Sequence, residues 1–140
     1  MAITCSTHRR PTSAGPCTPA DTLDALRIAT RDGSDRAVSI ACLDGARRPM
    51  GLFIVDECDG APEQVSFVVD FLLDAVQASE TMLDAIVLAS SRPGAGVVGP
   101  TNAEVALWPD LVGRCAAAGA TLLAWYLLAD GSVRTIGSLG

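Results

Sequence analysis

The order of apolar and polar positions divides the chain into alternating helical and extended segments. From Pro62 to Ser79, the polar residues Glu63, Ser66, Asp70, Asp74 and Gln77 recur at helical spacing, while Val65, Phe67, Val68, Val69, Phe71, Leu72 and Val76 cover the rest. This period predicts a helix largely buried against a sheet. Ala37 to Leu43 and Met50 to Val55 are apolar runs joined by Asp44-Gly45-Ala46-Arg47-Arg48-Pro49, a connection of hairpin length, and are expected to pair antiparallel. Asp84 to Ser90 is a short apolar run of the central-strand kind, followed by the glycine- and proline-rich loop Arg92 to Pro100. Any site is expected at the end of this strand.

Local end signals place the remaining elements. Thr18-Pro19-Ala20-Asp21 supplies a cap residue, a proline suited to the first helical position and a first-turn acid, opening a helix to about Thr30 with Leu23, Leu26 and Ile28 available to dock. Thr101-Asn102-Ala103-Glu104 has capping-box spacing and opens a helix to about Ala118, with Gly119 as its stop. Thr121 to Ala129 and Ser132 to Ile136 read as a closing hairpin through Asp130-Gly131. The stretch before Pro19 is Thr-, Ser-, Pro- and Arg-rich, and is expected to be a disordered leader over residues 1–19. Residues 20–140 then form one α/β domain, a mixed β-sheet of two hairpins plus a central strand, flanked by helices.

Composition narrows the chemistry. The chain has 140 residues, 49% of them hydrophobic, which suits one core. A net charge of −6 makes nucleic acid an improbable partner, because tracking phosphates requires clustered cations. All ten basic residues are arginine, so Schiff-base, P-loop and general-base lysines are excluded. His8 is the only histidine and lies in the leader, where nothing holds it for a catalytic triad. Cys5, Cys17, Cys42, Cys58 and Cys115 have neither zinc-knuckle spacing nor the density of a secreted disulfide scaffold, so a reducing cytoplasm is expected. No signal-peptide run or stretch of membrane-spanning length is present, and no membrane association is expected.

The loop after the central strand reads Leu88-Ala89-Ser90-Ser91-Arg92-Pro93-Gly94-Ala95-Gly96, followed by Pro100-Thr101-Asn102-Ala103-Glu104, later by Leu122-Leu123-Ala124-Trp125-Tyr126-Leu127-Leu128 and finally by Ser138-Leu139-Gly140. In element order, spacing and the retained Pro93, Pro100 and Leu122-Leu123, the stretch from Ala37 to Gly140 resembles the RadC branch of the JAB (JAMM, MPN) metalloprotease-fold family. That family carries two loop histidines and a helix acid that bind zinc. By the resemblance, Ser90 and Arg92 stand at the histidine positions, Glu104 at the acid and Arg36 at the base. Gly94 replaces a loop serine, and Ala124 and Trp125 replace a later Asp-His pair. A serine hydroxyl is a poor zinc ligand and a guanidinium is a cation that a zinc site excludes. The resemblance therefore implies a degenerate site with no catalytic residue, no metal and no cofactor.

Each of these residues also has an ordinary reading. Glu104 completes a capping box with Thr101, and Ser90 suits a strand-end turn hydroxyl. Arg36 and Arg92 either neutralise Glu104, filling the former pocket, or bind an anion there. Gly94-Ala95-Gly96 lacks the Gly-Lys-Ser/Thr ending of a phosphate-binding loop. Trp108 and Trp125 are expected in core or edge packing, Cys42 and Cys115 as buried small hydrophobes, and Cys58 in a loop with acidic neighbours. The expected function is that of a catalytically inactive RadC-like domain serving as a protein-interaction or regulatory module with an unknown protein or peptide partner. The alternative is a non-metal enzyme or anion-binding protein using Arg36, Arg92 and Glu104. An unrelated small α/β domain is the third reading.

Overall fold

The computed structural model describes residues 2–6, 18–30, 36–58, 61–80, 82–91, 99–129 and 131–139. Among the described residues, nine elements follow one another: β1 (Ala2–Ser6), α1 (Pro19–Ala29), β2 (Ala37–Leu43), β3 (Pro49–Asp56), α2 (Pro62–Ala78), β4 (Ala85–Ser91), α3 (Asn102–Ala117), β5 (Thr121–Ala129) and β6 (Ser132–Ser138). They build one α/β domain on a six-stranded mixed sheet of order β1-β3-β2-β4-β5-β6. Only β4 and β5 run parallel, joined by the crossover helix α3, and every other neighbouring pair is antiparallel.

Both predicted hairpins and the central position of β4 are present. Residues 2–6, read from sequence as part of a disordered leader, instead form β1, which pairs with β3 from Ala2↔Asp56 to Ser6↔Leu52. This pairing supplies β3 with a second hydrogen-bonded neighbour and moves the sheet edge outward. The local signals at the start of α1 are realised at Thr18, whose side chain accepts from Asp21 N while the Asp21 side chain accepts from Thr18 N.

The two faces of the sheet are covered differently. On one, α2 and α3 cover the main core, which includes Val38, Ile40, Phe53, Val55, Ile86, Leu88, Leu122, Trp125 and Leu127. On the other, α1 lays Leu26 against Ala41, Val87, Ala89, Ala124 and Leu128, a surface of mostly small side chains that admits a helix closely. Arg114 of α3 fastens α3 to α2 through a hydrogen bond to Ser66 and an ion pair with Asp70, and also pairs with Asp110 one turn back.

Helical phase corrects three burial expectations. Successive residues turn about 100°, so Ile28 lies some 200° from the inward-facing Leu26 and is exposed. Phe67 and Phe71 likewise fall off the inward stripe of Val65, Val68, Val69 and Leu72, and are 56% and 42% exposed. Cys58 follows β3 but is buried, with its thiol donating to Gln64 Oε1 at 3.2 Å and its amide to the Arg36 carbonyl. Among the described residues, no helix is long and apolar enough to cross a membrane.

Candidate functional site

Among the described residues singled out from sequence, Ser90 and Arg36 lie at the C-terminal end of β4. Antiparallel register pairs Ala37 of β2 with Ser91, which puts Arg36, the residue before β2, at the same sheet end as Ser90 and Ser91. Parallel register sets Leu127 and Leu128 of β5 beside the same two serines. Helix α3 begins at this end too, since it carries the chain from β4 back to the start of its parallel neighbour.

At the centre of this arrangement, the Trp125 indole Nε1–H donates to Ser90 Oγ at 3.0 Å, and both residues are completely buried. Trp125 pairs with Leu88, two residues before Ser90, so the two side chains are diagonal neighbours on one sheet face. A β-bulge between Ile86 and Val87 in the β4–β5 pairing contributes to this placement. The Ser90 hydroxyl is thus used as an interior acceptor for an indole that burial obliges to find one. A nucleophilic serine needs a base in reach, and no histidine occurs among the described residues.

Glu104 lies in the first turn of α3 and is fully buried. Its Oε1 accepts from Thr101 N at 2.9 Å, while Thr101 Oγ1 accepts from Glu104 N at 3.2 Å, a complete capping box. The positive end of the helix dipole further favours a carboxylate at this position. Gly119 follows the helix end at φ +85°, the left-handed conformation that its lack of a Cβ permits. Arg36 is exposed, and its carbonyl accepts from Cys58 N at 3.3 Å. Arg92 and the glycines Gly94 and Gly96 lie outside the described residues, as do His8 and Cys17.

Trp108 is half-buried on α3, with its ring lying over the backbone of Gly137 in β6; a Cβ at Gly137 would overlap the ring. Cys115 is fully buried, and its thiol is raised from 9.0 to about 11, first by burial, then by the nearby Asp70 carboxylate, against a smaller opposing effect of Arg114. Such a thiol is inert at neutral pH. Among the described residues, no three His, Cys, Asp or Glu side chains form a group suited to a metal ion.

A cavity of about 460 Å³ opens on the other face of the sheet, between the start of α1 at Thr18–Ala20 and Leu123, Tyr126 and Leu139. Burial raises the Tyr126 phenol above its ordinary value of 10.0. None of the residues nominated from sequence as site positions lines this cavity. Its walls come from the start of α1, from β5 and from the end of β6, which only the fold brings together. In comparison with known proteins, no family model matches the chain and no curated protein matches it.

Proposed function

We propose that the chain is a catalytically inactive, RadC-like JAB domain that acts by binding another protein or peptide. The observation that carries this reading is the buried hydrogen bond from Trp125 to Ser90. By the resemblance, one of these residues stands at a loop-histidine position and the other within the later Asp-His pair. Their side chains satisfy each other, which supports a reading in which the volume that the family gives to zinc and water is given over to packing. A serine and an indole engaged in this way supply neither a zinc ligand nor a base to activate water.

Glu104 supports the same reading. Its place in the capping box assigns the remaining family acid a structural duty, worth about 0.5–2 kcal/mol through the Thr101 cap. This also weighs against the alternative in which Glu104 acts as an acid or base beside Arg36 and Arg92, because a proton carrier must be released toward a substrate.

The test is zinc titration of the purified protein together with a metal-dependent peptidase assay. The reading predicts no specific zinc uptake and no turnover. Uptake of zinc at one per chain, with chelator-sensitive peptide cleavage, would overturn it.

A further inference from the structure

The chain contains three phenylalanines, and the fold brings all of them to one place. Phe53 of β3 is buried, and its ring centroid lies 6.0 Å from that of Phe71 on α2; Phe71 in turn lies 6.3 Å from Phe67, one helical turn earlier. The row runs from the core to the surface, ending in two rings that are 42% and 56% exposed. Adjacent exposed aromatics supported from beneath by a buried one make a rigid apolar platform of the kind that anchors protein contacts.

The surroundings of the platform select its occupant. On the α2 wheel, Glu63, Asp70 and Asp74 all fall within about 60° of Phe67, on one flank of the two rings. Helix α2 carries no basic residue. Asp70 is paired with Arg114, while among the described residues no ion pair engages Glu63 or Asp74. A second copy docked face to face would set these carboxylates against their own counterparts, and an anionic bilayer or nucleic acid would meet the same repulsion. The complementary surface carries cations beside large aliphatic groups.

We infer that Phe67 and Phe71, with Glu63 and Asp74, form a docking surface for a basic amphipathic segment of another protein. This inference rests on the binding-module reading above and gives that module a face and a partner chemistry. It follows the helix-groove mode in which apolar anchors supply affinity and flanking charges supply register and selection.

The test uses the full chain and three synthetic helical peptides that share one leucine face and carry arginine, glutamine or glutamate on the other. Binding is followed by calorimetry and by the amide NMR spectrum. The arginine peptide is expected to bind, to shift resonances along α2, to weaken with added salt and to lose about tenfold or more in affinity to Phe67→Ser. Glu63→Gln/Asp74→Asn is expected to lose several-fold, and the glutamate peptide to fail. Phe67 is the more exposed ring, so Phe67→Ser is chosen to leave the core intact, with circular dichroism as the control.

Absence of binding, equal binding of all three peptides, or unchanged affinity in Phe67→Ser would overturn the inference, as would a homodimer or an anionic-vesicle complex that Phe67→Ser abolishes. The two readings fail separately. Arginine-peptide binding that Phe67→Ser leaves unchanged sinks this surface and keeps the module, whereas zinc-dependent turnover sinks the inactive module and leaves the α2 result standing.

Discussion

Trp125 and Ser90, thirty-five residues apart in sequence, meet through an indole N–H to hydroxyl hydrogen bond of 3.0 Å that has no access to solvent. Ser90→Ala leaves the buried indole N–H without its acceptor and is expected to cost roughly 1–3 kcal/mol. Trp125→Phe removes the donor and shrinks the core, with a cost of similar order. Because each single change strands or unloads the same bond, the double variant should cost roughly 1 kcal/mol less than the sum. Urea denaturation of the four proteins checks this, and strict additivity would show that the bond contributes nothing.

Gly137 and Trp108 make a second coupled pair. A Cβ at Gly137 would overlap the Trp108 ring, so Gly137→Ala should force the indole aside and cost roughly 1–3 kcal/mol. In a Trp108→Leu background the same substitution should cost far less. An equal penalty in both backgrounds would assign the glycine to a backbone requirement instead.

The ends of α2 and α3 call for opposite substitutions. Beyond the C-cap of each helix the chain turns left-handed, with Gly119 at φ +85° after α3 and Glu80 at φ +56° after α2. A side chain in this conformation costs roughly 1–2 kcal/mol, partly offset by the freedom glycine has in the unfolded chain. Glu80 also sets a negative charge at the negative end of the helix dipole. Glu80→Gly should therefore raise stability by about 0.5–1 kcal/mol, and Gly119→Ala should lower it by about 1 kcal/mol. Thermal and urea unfolding would show both signs.

Much of this fold is legible in the sequence because its signals are local. Thr18 with Asp21, Thr101 with Glu104, and Gly119 each mark a helix end within a few residues, and the strands stand out as apolar runs. What was not legible depends on partners far away or on phase. β1 exists through its pairing with β3 some fifty residues later, which no property of residues 2–6 announces. Phe67, Phe71 and Ile28 are apolar yet exposed, because angle around the helix, rather than composition, decides which residues face the sheet. In the candidate site, Ser90 and the residue before β2, Arg36, share one sheet end through strand register, and the bond from Trp125 depends on the register across a bulge, which no local signal carries.

Cys115 gives the stability a pH dependence of definite sign. Its folded pKa of about 11 lies above the ordinary 9.0, so below pH 9 the thiol is protonated in both states and imposes no penalty. Between 9.0 and about 11 the unfolded chain ionises while the folded chain does not, and stability falls across that window. Cys115→Ala should flatten this part of the curve relative to the parent. At pH 8 the thiol should resist alkylation until the protein unfolds, and ready labelling of the native protein at Cys115 would contradict its burial.

On the reading proposed above, the place that a RadC-like domain gives to zinc is taken in this chain by the Trp125–Ser90 pair. Metal analysis of the protein, purified without chelator and then dialysed against excess zinc followed by metal-free buffer, tests that claim most directly. Zinc is expected to wash away from the parent protein and from Ser90→Ala alike. Retention of zinc at one per chain would contradict it.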